Sequence, residues 1–167
     1  MILNRSSLQS AAPIKGMMDH KRSFAGVSFG MSEAGYDLRI KQQVHFKSDV
    51  PGSMFISVNE SDFIPGRFTL ASAIEEFQMP SNLVGIVHDK STWARKGLSV
   101  FNTVIEPGWK GFLTLELVYH GSKDLIIQAG SGIAQVIFHE LATAASYDGK
   151  YQNQEDSPVE ARESVII

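Results

Sequence analysis

Residues 89–117 read DKSTWARKGLSVFNTVIEPGWKGFLTLEL, and the run GFLTLELVY at 111–119 is the part whose pattern decides the fold. Phe112, Thr114, Glu116 and Val118 share one face of an extended chain, and Leu113, Leu115, Leu117 and Tyr119 share the other. Apolar alternation of period two marks a strand. Just upstream, Pro107-Gly108 sets a tight turn of type I or II between Glu106 and Trp109. Three features carry chemistry here: a hydroxyl pair with a nearby arginine (Ser91, Thr92, Arg95), the turn, and a lone carboxylate, Glu116, in an apolar run.

Working outward, the same short period recurs between turn signals. YDLRIKQQVHF from Tyr36 reads as one strand, with Tyr36, Leu38 and Ile40 on one face and Asp37, Arg39 and Lys41 on the other. Pro51-Gly52 and Pro65-Gly66 are breaks, with MFISV a strand between them. RFTLASAIEEFQMP reads as a strand running through small residues into another strand, and 82–88 (NLVGIVH) as a short apolar strand. LIIQAGSGIAQVIFHEL reads as two strands joined by a hairpin turn at Gly130-Ser131-Gly132. Phe24–Ser32 is rich in Gly and Ser and reads as a loop entering a strand. A short N-terminal helix carries the stripe Ile2, Leu3 and Leu8, with Asn4 or Ser6 as cap and Pro13 as its stop. Many short strands with regular turns predict an all-β sandwich or barrel, in one domain over 1–167. From Ala142 the apolar period is lost, so 142–167 is a polar tail that is either disordered or docked.

The chain has 167 residues, 43% of them hydrophobic and 20% charged, with a formal net charge of −3. An acidic balance argues against a nucleic-acid surface, but not against one small anion held by local cations. With no cysteine, disulfides, thiolate nucleophiles and Cys-ligated zinc are excluded. No apolar run approaches the roughly 18 residues that span a bilayer, and no signal peptide is evident, so a cytoplasmic protein away from membranes is expected.

Each candidate residue has a plain reading beside the functional one. Glu116 is either a solvent-facing strand residue or a part-buried carboxylate with a raised pKa, suited to general acid/base work. Ser91, Thr92 and Arg95, flanked by Lys90 and Lys96, are either a capped turn or an anion-binding corner. Glu106 is a second candidate carboxylate at the start of the turn, and Trp109 is expected to pack. The five histidines lack metal-ligand spacing, and Gly130-Ser131-Gly132 lacks the Lys-Ser/Thr of a phosphate loop. Lys150, Tyr151, Gln154 and Arg162 belong either to a disordered end or to a lid over a bound anion.

Taken together, AGYDLR (34–39), KSTWARKGL (90–98), IEPGWKG (105–111) followed by LEL (115–117), and GKYQNQ (149–154) with Pro158 and Arg162 resemble the dCTP deaminase branch of the dUTPase-like superfamily. The resemblance runs from Ala34 to about Arg162. It implies a distorted jelly roll, or dUTPase-like β-barrel, that assembles as a homotrimer with active sites between subunits. It also implies a hydrolase that converts a deoxycytidine nucleotide, dCTP, to dUTP and ammonia without zinc. Glu116 matches the catalytic base that activates water for attack at cytosine C4, and Ser91 and Arg95 match the residues that bind phosphates and help organise that water. Lys90, Thr92, Asn102, Thr103, Glu106, Trp109, Lys150, Tyr151 and Gln154 are then the expected substrate-binding residues. No metal is held by the protein, and Mg²⁺ rides on the substrate triphosphate.

Two departures stand out. The family usually has Asp, near the sugar, where this chain has Glu106, and the link from Arg95 to Glu106 is shorter than is usual, leaving Phe101-Asn102-Thr103 to meet the base. Three functions compete on this reading: the deaminase, a bifunctional enzyme that also cleaves the triphosphate to dUMP and pyrophosphate, and a non-enzymatic nucleotide-binding relative.

Overall fold

The structure, a computed structural model, describes residues 1–163. In chain order the elements are β1 (Ile2–Leu3), α1 (Arg5–Ala11), β2 (Lys21–Phe24), β3 (Val27–Met31), β4 (Tyr36–Arg39), β5 (Val44–Lys47), β6 (Phe55–Val58), β7 (Ile64–Pro65), β8 (Phe68–Gln78), β9 (Leu83–Asp89), α2 (Ser91–Ala94), β10 (Leu98–Val100), β11 (Val104–Ile105), β12 (Lys110–Tyr119), β13 (Leu125–Ile127) and β14 (Gly132–Glu140). The main sheet runs β11-β9-β14-β4-β3-β2, with β1 also paired to β14; β10-β12-β8 and β13-β5-β6-β7 form the other two. The all-β expectation is borne out.

One shared core joins the sheets. Tyr36, Phe46, Phe77 and Phe138 are its largest fully buried side chains, packed with Leu38, Ile40, Leu115 and Leu117. Burying each such group removes apolar surface from water at about 25 cal/mol per Å². Leu113, Leu115, Leu117 and Tyr119 supply the inward face of β12, as the alternation requires.

Several local readings are corrected. Ile2 and Leu3 leave the helix and form β1 on β14, so the buried Leu8, with part-buried Ala11, anchors α1 against the core. Neither Asn4 nor Ser6 caps the helix through its side chain: Asn4 holds the N-cap position, but its Nδ2 donates to Glu33 O. Phe24–Ser32 is mostly a hairpin, β2 to β3, because Val27, Phe29 and Met31 alternate inward behind the Gly and Ser that hide the period. YDLRIKQQVHF is two strands. At Ile40 the chain changes sheets, bridging to Ala73 while Lys41 N donates to Ser72 O at 2.8 Å. Its polar face is not uniform either: Asp37 is buried, Arg39 half-buried and Lys41 exposed.

RFTLASAIEEFQMP, by contrast, is one long strand, β8, with a bulge inside it. The ladder with β12 jumps from Phe112↔Glu76 to Thr114↔Ser72. Small side chains at Ala71, Ser72 and Ala73 leave room for the bulge. Gly130-Ser131-Gly132 is no hairpin, because β13 pairs with β5 while β14 pairs with β4 and β9, so the link crosses between sheets.

Gly132 shows how tightly that crossing is packed. A Cβ there would lie 1.9 Å from Ser28 O, a backbone atom that cannot move aside. Gly132→Ala is therefore expected to cost more than about 4 kcal/mol, or to prevent soluble expression. Gly52→Ala, with nothing within 4 Å of its Cβ but a φ of +88°, should cost only about 1–2 kcal/mol. Denaturant melts of both variants test this, and similar losses at the two positions would refute it.

Candidate functional site

The outward face of β12 turns Thr114 and Glu116 toward a cavity of about 320 Å³. That is the size of a small-molecule site. Thr103, Glu106, Trp109, Leu113, Tyr151, Gln154 and Val159 share its lining, and no lysine or arginine does. Glu116 Oε2 is buried and has no hydrogen-bond partner among the described residues. Burial pushes the Glu116 carboxyl above the ordinary carboxylate range, opposed only by a hydrogen bond from backbone. A carboxyl so placed holds a proton more readily than a free one and still faces the space where a ligand would sit. That is the environment of a group that takes and returns protons.

A second cavity, of about 300 Å³ and almost wholly polar in its lining, lies at the start of α2. Lys90, Ser91 and Thr92 line it together with Lys21, Ser28, Ser32, Glu33, Asp37, Asp89 and Gln135. Lys90 Nζ sits 2.5 Å from Asp37 Oδ2, with both side chains buried. Ser28 Oγ donates to the same carboxylate at 3.4 Å, and Gln135 Nε2 donates to Ser32 Oγ at 2.9 Å. Trp93 fixes α2 in place, its Nε1–H donating to Gly132 O at 2.6 Å. Lys21 is paired with Glu33 at 2.9 Å, so both lysines here already have carboxylate partners. Two lysines face three carboxylates, leaving the cavity one negative charge in excess.

The sequence-predicted residues thus fall into groups. Thr103, Glu106, Trp109, Glu116, Tyr151 and Gln154 meet at the first cavity; Lys90, Ser91 and Thr92 meet at the second. Asn102, Arg95 and Lys150 are exposed and line neither. Within one chain, Ser91 and Arg95 are not brought to Glu116. Asp37 and Gln135 were missed as members of a site. Each is a polar residue inside an apolar strand, and that was the available signal. Among the described residues, no group of three or more His, Cys, Asp or Glu is placed to hold a metal ion. Among those residues, no helix is long and apolar enough to cross a membrane.

The tail docks on its own chain. Trp109 Nε1 donates to Tyr151 O at 2.6 Å, Lys110 N to Gln152 Oε1 at 2.8 Å, and Phe112 N to Gln154 O at 3.0 Å. Gln154 is buried, with its Nε2 donating to Thr114 Oγ1, and Val159 N donates to the same oxygen at 3.0 Å. The Tyr151 ring lies between two cations, Lys150 Nζ at 5.2 Å and the Arg162 guanidinium at 5.8 Å. Gly111 makes the approach possible, since a Cβ there would meet Gln154 N and O at 2.5 Å. Gly111→Ala is expected to release residues 147–162 while leaving the barrel folded. Limited proteolysis should then cut the tail much faster than in the unchanged protein, and equal resistance would contradict the docking.

Burial of Glu116 also predicts a pH signature. A carboxyl whose folded pKa is raised binds its proton more tightly when folded, so its contribution favours the folded state at low pH. That contribution is lost as pH rises from the ordinary carboxylate range toward the raised folded value. Glu116→Gln is therefore expected to melt higher than the unchanged protein near neutral pH, with the gap closing on acidification. Thermal melts across that range test it, and a gap that widens in acid would be the wrong sign.

A family model described as dCTP deaminase-like matches residues 9–141. The dCTP deaminase of Protochlamydia amoebophila (strain UWE25) is 36% identical over 145 residues, 77% of this chain and 77% of that protein. That of Wolbachia pipientis wMel is 35% identical over 167 residues, 90% of each, and that of Campylobacter concisus (strain 13826) is 38% identical over 146 residues, 77% of this chain and 78% of its own. Among solved structures, the dCTP deaminase of Agrobacterium tumefaciens superposes with a TM-score of 0.56 at 17% identity, over 84% of this chain and 48% of that one. The native dUTPase of EIAV does so with a TM-score of 0.50 at 20% identity, over 84% of this chain and 92% of that one. These likenesses give the fold, which is dUTPase-like. The chain belongs to the dCTP deaminase-like family.

Proposed function

We propose that the protein deaminates dCTP to dUTP and ammonia, with Glu116 as the general base. The observation that carries this reading is the buried, unpartnered Glu116 Oε2 at the wall of a cavity sized for a nucleotide base. The relatives named as dCTP deaminases support the choice of substrate. In the reaction, ionised Glu116 takes a proton from a water whose oxygen attacks C4 of cytosine. The C4=N3 π pair moves to N3, which takes that proton; the proton of the new C4 hydroxyl then passes to the amino nitrogen, the C4–N bond breaks, and ammonia leaves as the C4 carbonyl forms. No step asks for zinc, and the chain has no cysteine to supply the usual zinc-deaminase ligands.

The first cavity offers carboxylates but no cation, so it suits the base and sugar rather than phosphates. Lys90, Ser91 and Thr92 lie in the second cavity, with Arg95 next to it in sequence and unpaired among the described residues. A complete site therefore joins the first cavity of one copy to the second cavity of another, in keeping with a homotrimer. Because the second cavity is itself one negative charge in excess, a triphosphate entering it needs added positive charge. Magnesium carried on the phosphates supplies that charge. Glu33, Asp37 and Asp89 are the carboxylates that line that cavity, and Lys150 and Arg162 of the tail add cations beside Tyr151.

Purified protein with Mg²⁺ is expected to release ammonia from dCTP and to accumulate dUTP. Glu116→Gln should lose at least roughly 10²-fold in kcat while binding dCTP nearly as well. Full turnover by that variant would remove Glu116 from the role. An unchanged protein that releases no ammonia from any cytosine nucleotide would refute the reading, and dUMP with pyrophosphate as the products would replace it with the bifunctional one.

A further inference from the structure

The hydroxyl of Thr114 has an unusual set of partners. Its oxygen accepts from two tail donors, Gln154 Nε2 and Val159 N, the latter at 3.0 Å. A threonine hydroxyl has two lone pairs and one hydrogen, so the docked tail fills its whole accepting capacity. Among the described residues the hydroxyl donates to none. Thr114 is buried and lines the first cavity together with Gln154, Val159 and Glu116. Its one remaining function is to donate, and the cavity is where an acceptor can reach it.

Thr114 and Glu116 lie on the same strand face, two residues and so about 6.6 Å apart along it. Side chains at that spacing can reach the two ends of one pyrimidine edge. Cytosine presents an acceptor, the O2 carbonyl, at one end of that edge and the amino-bearing carbon at the other. We propose that Thr114 is a specificity-determining residue whose hydroxyl, committed to donating by the docked tail, binds the O2 carbonyl of the pyrimidine and so turns C4 toward Glu116. The proposal rests on the deaminase reading and adds a link between tail and base. A tail that has not docked leaves the hydroxyl free to rotate, and the base is then held less firmly.

The test compares dCTP with its 2-thio analogue, in which a weakly accepting sulfur replaces O2. Comparing the ratio of the two kcat/KM values between variants cancels any intrinsic difference in reactivity. The unchanged protein is expected to favour dCTP, and Thr114→Val should lower kcat/KM for dCTP by about tenfold, mainly through KM, and bring the ratio down by a similar factor. Thr114→Ser should restore it, since the hydroxyl and not the methyl group makes the contact. A ratio unchanged in Thr114→Val, or not restored by serine, overturns the proposal while leaving deamination intact. A hydroxyl that served only to latch the tail would speed exchange of the Val159 amide in Thr114→Val and leave the ratio alone. That result is also expected if the Gln154 carboxamide turns its oxygen to Thr114, and it equally overturns the proposal. An unchanged protein that deaminates neither compound refutes the deaminase reading and this proposal with it.

Discussion

Where the ladder between β8 and β12 slips, between Phe112↔Glu76 and Thr114↔Ser72, the residues released on β8 become free to reach other sheets. Ala73 bridges to Ile40, and the Glu75 carboxylate accepts from Arg39 N at 2.9 Å and Arg39 Nε at 2.8 Å. The Ser72 amide, which takes no part in a regular ladder there, donates to Gln42 Oε1 at 2.8 Å. Those contacts hold β4 against β8 and make the sheets share a core. Burial pushes the Glu75 carboxyl up, and Arg39 opposes the shift through charge and two hydrogen bonds. Removing Arg39 costs about 3–5 kcal/mol, because the buried Glu75 carboxylate is then stranded. On β12 the ladder resumes at Thr114, and Leu113, Thr114 and Glu116 are the strand's residues that line the cavity.

The electrostatics follow from the same scaffold. Glu116 sits where the strand is regular and covered, so desolvation is its dominant influence and no cation relieves it. Lys90 and Asp37 sit where β4 and the end of β9 converge, and they neutralise each other at 2.5 Å. One cavity therefore holds a poised carboxyl and the other an acid–base pair that an incoming anion or metal must reorganise.

Much of this was legible in the sequence. The alternation at 111–119 gave β12 with the right inward face, and the position of Glu116 in it was the reason to suspect partial burial. What misled was local composition read without tertiary context. Gly and Ser in Phe24–Ser32 concealed a hairpin whose inward residues are Val27, Phe29 and Met31. Alternation puts Asp37 on the face of Arg39 and Lys41, but both faces of β4 are covered there, and its partner Lys90 is far away in sequence. A long strand that bulges and a chain that changes sheets are set by packing between segments, which a single-sequence period does not register.

The turn at 105–111 changes meaning most. Pro107-Gly108-Trp109 reads as a tight turn with a packing tryptophan, or, through the family resemblance, as a contact with substrate. Trp109 lines the first cavity, and it also spends its N–H on Tyr151 O and packs its ring against Phe77 at 6.0 Å. Pro107 O accepts from Tyr147 N at 2.8 Å, and a Cβ on Gly108 would lie 3.2 Å from Ser146 Cα. Gly111, a few residues on, is open for Gln154. Proline fixes the bend, the two glycines clear the path, and the indole supplies the donor, so the segment is a seat for the chain's own tail. That seat places Gln154 and Val159 against Thr114, two residues from Glu116. The turn thus acts on the cavity through the tail that it holds, which explains why a tight turn, a tryptophan and a distant polar segment belong to one site.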